Sequence, residues 1–163
     1  MFDRLSAAIA SRCGICSGFS GVGHIAHGSH ESNQIWCTLS EDGVFRAIPL
    51  GFGAKGILHQ EDLNLTQCDC MTSGPNSMGQ AIVACFGYNH QSSSVQLKLV
   101  NLSSLEPAST VELSALPELR RAGLSDTLPP SEAAWVKPNV LVFAYGPGWV
   151  MLDIRNPTAA LRY

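Results

Sequence analysis

The stretch Val140-Leu-Val-Phe-Ala-Tyr145, Gly146-Pro147-Gly148, Trp149-Val-Met-Leu-Asp-Ile154 decides the predicted fold. Two largely apolar runs enclose a turn of glycine and proline, and this arrangement predicts a β-hairpin. The first run is apolar on both faces, which indicates an inner strand that neighbouring sheets bury. The stretch therefore predicts a buried hairpin in a β-rich fold.

The same strand-turn-strand unit occurs twice earlier in the chain. In residues 34–50 the two runs flank Ser40-Glu-Asp-Gly43, and Asp-Gly between strands is a strong hairpin signal. In residues 81–102 the runs flank a polar turn from Asn89 to Ser94. The turns recur at intervals of roughly 50 residues, which is near the period of β-propeller blades. Three weaker strand candidates lie between the hairpins: Leu63 to Met71, Ser109 to Leu113 and Ala133 to Lys137.

Several segments of the chain resemble WD40-type β-propeller repeats. Trp149-Val-Met-Leu-Asp-Ile-Arg-Asn-Pro157 is similar to the end of a repeat's third strand and the turn after it. Residues 94–104 match more loosely, with Asn101 where the family often has Asp. Ser40-Glu-Asp-Gly-Val-Phe-Arg46 is similar to the family's b–c hairpin, and Gly23-His24 to its Gly-His dipeptide. The resemblance spans residues 23–157 without a Trp-Asp dipeptide, and it implies four-stranded blades stacked around an axis.

Chain length limits how complete such a propeller is. At about 40–50 residues per blade the 163 residues supply roughly three blades, whereas closed propellers have about four to eight. We therefore predict a mainly β chain that forms a partial or partner-completed β-propeller, with a short N-terminal helix. A β-sandwich is the alternative, because the same hairpins would also serve that fold. Residues 1–33 are assigned to the helix and a loop rich in Gly, Ser and His, and residues 34–163 to the β-sheet repeat domain.

The composition favours contact with another protein. Charged residues make up 14% of the chain, against about 25% in ordinary globular proteins. Much of the surface is therefore neutral or apolar, which is typical of a surface that a partner covers. The net charge is −3 with scattered basic residues, so no nucleic-acid footprint is indicated. No run approaches the roughly 18 apolar residues of a membrane span.

The N-terminus and the cysteines favour an intracellular protein. The apolar run after Met1-Phe2-Asp3-Arg4 is too short for a secretory signal, and Asp3 lies where positive charge is required. Without secretion, the six cysteines are expected to be reduced thiols. We predict a cytoplasmic or nuclear location, with an organellar presequence as the alternative interpretation of the N-terminus.

Two cysteine pairs raise the alternative of a zinc site. Cys13 and Cys16 have CxxC spacing, and Cys68 and Cys70 are two apart in a predicted strand, where both would face the same side. The leading interpretation is that these thiols are unrelated, so no metal is assigned. His24, His27 and His30 are interpreted as solvated loop residues, although they could join Cys13 or Cys16 at a metal.

No set of nucleophile, acid or base is visible in the sequence, so we predict no enzymatic activity and no cofactor. The expected function is a non-catalytic protein–protein interaction or scaffold subunit of a larger assembly, whose partner covers open sheet edges. A zinc-binding module built on the cysteine pairs is the alternative function.

Overall fold

The computed structural model describes residues 21–27, 34–50, 59–75, 78, 80–104, 106–123 and 128–162. The predicted N-terminal helix lies outside these residues. The described chain is mainly β, as predicted, and it forms three four-stranded antiparallel sheets. No helix in the described part of the chain is long and apolar enough to cross a membrane.

In each sheet the four strands lie side by side in chain order. The first sheet consists of β1 (Gly21–His27), β2 (Gln34–Ser40), β3 (Val44–Leu50) and β4 (His59–Asp62). The middle sheet consists of β5 (Thr66–Pro75), β6 (Ala81–Asn89), β7 (Ser94–Asn101) and β8 (Glu106–Glu112). The third sheet consists of β9 (Ala133–Lys137), β10 (Val140–Tyr145), β11 (Gly148–Asp153) and β12 (Leu161–Arg162).

The three hairpins predicted from the sequence are confirmed as the pairs β2–β3, β6–β7 and β10–β11. Short helical turns connect the middle and third sheets: a 3-10 turn at Leu113–Ala115 and helix α1 at Pro117–Arg121. A second 3-10 turn at Pro157–Ala159 precedes β12. Strand β1 begins at Gly21, so the first sheet starts upstream of the boundary predicted at residue 33.

The single strand candidate at residues 63–71 is divided in the structure. Leu63 and Leu65 are buried in the linker between β4 and β5, and strand β5 begins only at Thr66. The Leu63 amide donates a hydrogen bond of 3.0 Å to the Gly43 carbonyl. Gly43 has a φ of +86°, and a Cβ built on it would lie 2.2 Å from the Leu65 carbonyl oxygen. Glycine at this turn therefore lets the linker pack directly against the first hairpin.

Two hydrophobic cores lie on the two sides of the middle sheet. The first core lies between the first and middle sheets and includes Phe45, Val83 and Cys85. The second core lies between the middle and third sheets, where the Phe86 and Phe143 rings are tilted with centroids 5.1 Å apart. The first seven residues of β6 are all buried. The middle sheet therefore has neighbouring sheets on both faces, as the inner blades of a stack do.

The first strands of successive sheets adjoin one another. β1 contacts β5, and β5 contacts β9. The Asn139 amide, just after β9, donates a hydrogen bond of 3.3 Å to the carbonyl of Pro75 at the end of β5. The three described sheets do not close into a ring. The described residues form a stack of three sheets, and of its two end sheets the third bears the exposed side chains Val136 and Trp149.

Candidate functional site

The outer face of the third sheet is apolar and faces away from the second core. We call this surface the third outer face, and it consists of Ala134, Val136, Val142, Ala144, Trp149 and Met151. The register pairs Val142 with Ala134 and Met151, and Ala144 with Trp149, so these side chains share one side of the sheet. The alternate residues of β10 and β11 are buried in the second core. Trp149 is 50% exposed and Val136 is 56% exposed.

Comparison of equivalent positions in the hairpins shows that the third outer face is exposed where the other sheets are buried. Near the turn of each hairpin, one cross-strand pair lies on the side toward the next sheet. In the first hairpin this pair is Leu39 and Phe45, and both side chains are fully buried against the middle sheet. The third hairpin has Ala144 and Trp149 at the equivalent pair. Trp149 therefore occupies a position that is covered by a neighbouring sheet where the chain supplies one.

The middle hairpin confirms the equivalence. Its corresponding pair is Tyr88 and Val95, and it packs into the second core under the third sheet. Two residues after Val95 in β7, Leu97 is fully buried. Met151 occupies the equivalent position in β11, two residues after Trp149. The same two positions are thus covered twice within the chain and left open at its third sheet.

A polar group borders the third outer face at the end of β11. The Arg155 side chain donates a hydrogen bond of 2.9 Å from Nε to Oδ1 of Asp153, and its backbone amide donates another of 3.0 Å. These hydrogen bonds lower the pKa of Asp153 to about 2. The carboxylate is therefore ionised and held at the rim. An apolar centre with a polar rim is typical of a protein-interaction surface.

The outer face of the first sheet is more polar than the third. We call it the first outer face, and its described side chains are Trp36, Thr38, Val44, Arg46, Ile48 and Gln60. Thr38 is buried, and Trp36, Val44, Arg46 and Ile48 are half-buried, so this face is less open than the third outer face. Trp36 pairs with Ile48 and Thr38 pairs with Arg46, while the alternate residues Cys37 and Ala47 are buried in the first core. The Arg46 side chain donates a hydrogen bond of 3.0 Å from Nε to Oε1 of Gln60. The Trp36–Ile48 pair supplies the apolar part of this surface.

A cleft of about 600 Å³ opens between the start of β5 and the end of β10. Its walls include Gln67, Asp69, Pro130, Ser131 and Gly146. Among the described residues that line it, Asp69 alone carries an ionisable side chain.

The prediction that Cys68 and Cys70 face the same side of a strand is wrong. Cys68 is buried in the first core and Cys70 in the second, on opposite faces of the middle sheet. The reason is a bulge in β5, where the register shifts between Thr66 and Cys70 and Gln67 adopts a φ of +55°. Residues 67–69 lie opposite the single residue Gly87, so Cys68 lies inside the bulge and departs from the alternation that Thr66 and Cys70 keep.

The remaining metal candidates are not gathered with this pair in the described structure. Cys13, Cys16 and His30 lie outside the described residues, and His24 and His27 belong to β1. Within the described ranges, no group of three or more His, Cys, Asp or Glu side chains is placed to hold a metal ion. Cys37, Cys68, Cys70 and Cys85 are free and buried. Burial raises the pKa of the Cys37, Cys68 and Cys70 thiols to about 12.

The outer faces could not be identified from the sequence alone, because Trp149 and Phe45 occur in similar hairpins. The one signal in the sequence was the repetition of the hairpin unit. In a stack of repeats, an end repeat exposes the face that the inner repeats bury against a neighbour. Compared with known proteins, the chain matches no protein-family model and none of the curated proteins.

Proposed function

We propose that this chain is a non-catalytic protein–protein interaction subunit of a larger assembly, and that it binds its partner through the third outer face. The observation that carries the proposal is the 50% exposure of Trp149 at a hairpin position where Phe45 and Val95 are buried. A further sheet stacked on the third outer face would cover Trp149 and Met151 as the chain covers their counterparts.

The energetics favour such a partner. Removing apolar surface from water contributes about 25 cal/mol per Å², and an aromatic ring buries the largest area of any side chain. The third outer face gathers its apolar residues on two paired strands instead of scattering them singly. Contiguous apolar patches of this kind are characteristic of interaction sites.

The stacking mode supports a propeller-like assembly over a two-sheet sandwich. A two-layer sandwich buries one face of each sheet, whereas here both faces of the middle sheet are buried. Three chain-ordered, four-stranded sheets with adjoining first strands are consistent with the resemblance to WD40-type blades. On this proposal the partner supplies the sheets that complete the ring.

The cysteines support an intracellular assembly. Cys37, Cys68, Cys70 and Cys85 are all free thiols, which persist in a reducing compartment. We place the proposed assembly in the cytoplasm or nucleus on this basis.

Site-specific photo-crosslinking tests the proposal. A photoreactive amino acid replaces Trp149 on the third outer face in one variant and Thr110 in another. Thr110 is the matched control, because it is an exposed strand residue of β8 outside both outer faces. Irradiation of cells that produce the chain should yield a protein adduct from position 149 and none from position 110. Absence of an adduct at 149, or equal adducts at both positions, would contradict the proposal.

A further inference from the structure

The cleft that opens between the start of β5 and the end of β10 borders the third outer face. Ala144 belongs to both surfaces, because it lines the cleft and pairs with Trp149 across the third hairpin. Leu128, Pro129 and Pro130 form an apolar wall of the cleft, and Leu128 is 76% exposed. A partner that covers Trp149 would therefore lie beside an open cleft that can take a segment of the same partner.

Two carboxylates give this cleft a negative charge. Asp69 lines it, and the Ala144 amide donates a hydrogen bond of 3.0 Å to the Glu132 carbonyl, which fixes Glu132 next to the cleft. Burial raises the pKa of the Cys70 thiol, and the nearby Glu132 and Asp69 carboxylates raise this pKa further. Neither carboxylate forms an ion pair with any residue that the structure describes. Their charge is therefore available to a bound cation.

The basic side chains described in and beside the third sheet lie at its opposite end. Lys137 and Asp153 both pair with Val140 at the start of β10, and Arg155 donates its side-chain hydrogen bond to Asp153. The length of β10, roughly 17 Å, separates these residues from the cleft at the other end of the strand. These bases leave the charge of the two cleft carboxylates in place, and a negatively charged cleft attracts a basic side chain.

We propose that the cleft binds a segment of the partner protein that places a lysine or arginine side chain against Asp69 and Glu132. The charged end of this side chain would donate hydrogen bonds to the carboxylates, and its aliphatic stem would pack on the apolar wall of the cleft. Gln67 and Ser131 also line the cleft and supply further acceptor oxygens for the segment. This inference rests on the proposed function and specifies how the partner is recognised beside the third outer face.

Cross-linking from inside the cleft is the first measurement. A photoreactive amino acid replaces Ser131, which is exposed and lines the cleft. In cells, this variant should form an adduct with the same protein that position 149 captures. Digestion and mass spectrometry then identify the cross-linked segment, which should carry a lysine or arginine beside the attachment point.

Removing the charge of Asp69 tests whether the cleft recognises that basic side chain. The identified segment is synthesised as a fluorescent peptide, and its binding to purified chain is measured by anisotropy. Asp69→Asn should raise the dissociation constant about 10-fold or more, because a hydrogen bond between two charged groups is lost. The matched control is Glu106→Gln, which removes one exposed carboxylate at the start of β8, and it should leave the dissociation constant unchanged.

Exchanging the charges provides the positive test. Asp69→Lys should abolish binding of the peptide, and it should bind a peptide whose basic residue is replaced by glutamate more tightly than the unaltered chain does. This reversal of preference shows that the two side chains interact and that the Asp69→Lys variant is folded. If Asp69→Lys does not fold by circular dichroism, Asp69→Asn with the same two peptides gives the comparison.

The remaining outcomes overturn the inference and separate it from the proposed function. An adduct from position 149 without one from position 131 would leave the proposed function standing and show that the partner does not enter the cleft. A segment without a basic residue, or equal affinity of the peptide for Asp69→Asn and the unaltered chain, would show that the cleft does not recognise charge. Absence of adducts at both positions would remove the proposed function and this inference together.

Discussion

The indole ring of Trp135 in the third sheet lies directly over Gly74 in the middle sheet. A Cβ built on Gly74 would fall 2.3 Å from Cγ of Trp135 and 2.6 Å from its Cδ2. These distances are shorter than any van der Waals contact, so the absence of a side chain at Gly74 is what lets β9 approach β5. The close approach of β9 to β5 therefore depends on the absence of a side chain at Gly74.

Replacing Gly74 with alanine should separate the two strands. We expect Gly74→Ala to lower the free energy of unfolding by about 1–3 kcal/mol, the usual cost of forcing a methyl group into an occupied space. Urea denaturation measures the change. In a Trp135→Gly background the same substitution should cost far less, because both the ring and the Cβ that lies 2.7 Å from the added methyl group are gone. Equal costs in both backgrounds would show that Trp135 does not constrain Gly74.

Replacing the turn glycine Gly43 with alanine should lower the free energy of unfolding more than the same replacement at Gly123. Gly43→Ala combines an unfavourable φ of +86° with a Cβ placed 2.2 Å from the Leu65 carbonyl oxygen. Gly123 is the matched control, since it has a φ of +70° but no atom within 4 Å of the position that a Cβ would take. Gly123→Ala should cost about 1 kcal/mol from the backbone alone. Gly43→Ala should exceed this by at least about 1 kcal/mol in urea unfolding, and similar costs would contradict the tight linker packing.

Stability should decrease as the solution becomes alkaline. Burial raises the pKa of the Cys37 thiol from 9.0 to about 12, so the folded chain retains a proton that the unfolded chain releases above pH 9. This contribution is fully present below pH 9 and is lost as pH rises toward about 12. The free energy of unfolding should therefore fall as the pH rises above about 9, with a shallower slope for Cys37→Ala. An unchanged slope in that variant would show that Cys37 does not contribute.

Cys68 and Cys70 should not hold one zinc ion together. A single ion cannot bind both Cys68 and Cys70, because they are buried in cores on opposite faces of the middle sheet. Elemental analysis of protein purified without chelator measures the metal content. One zinc per chain that is lost in Cys68→Ser and also in Cys70→Ser would overturn this expectation and restore the alternative function.

The fold was predictable where a local pattern determines it. The hairpins around Gly43, 89–94 and 146–147 follow from turn residues between apolar runs, and the structure contains all three. Strand β4 was missed because His59–Asp62 is polar throughout and becomes a strand by pairing with β3. Tertiary pairing of this kind overrides the local preference of a short segment.

The candidate site was less predictable, for two physical reasons. The bulge that separates Cys68 from Cys70 depends on the backbone of Gln67, which no residue pattern around it indicates. The exposure of Trp149 depends on which sheets have neighbours, since the sequence around Phe45 is equally apolar. The low charged fraction predicts that some apolar surface is exposed, and in the described chain Val136 and Trp149 of the third sheet are exposed.

The burial of the middle sheet on both faces also has a consequence during synthesis. Ribosomes complete the strands of this sheet at residue 112, but the strands that cover Phe86 and Leu97 are made only between residues 133 and 162. At about 5–20 residues per second, the growing chain exposes this aromatic face for a few seconds. Until Phe143 is made, the side of the middle sheet that carries Phe86 has no cover, so this interval is when the growing chain is most prone to aggregate.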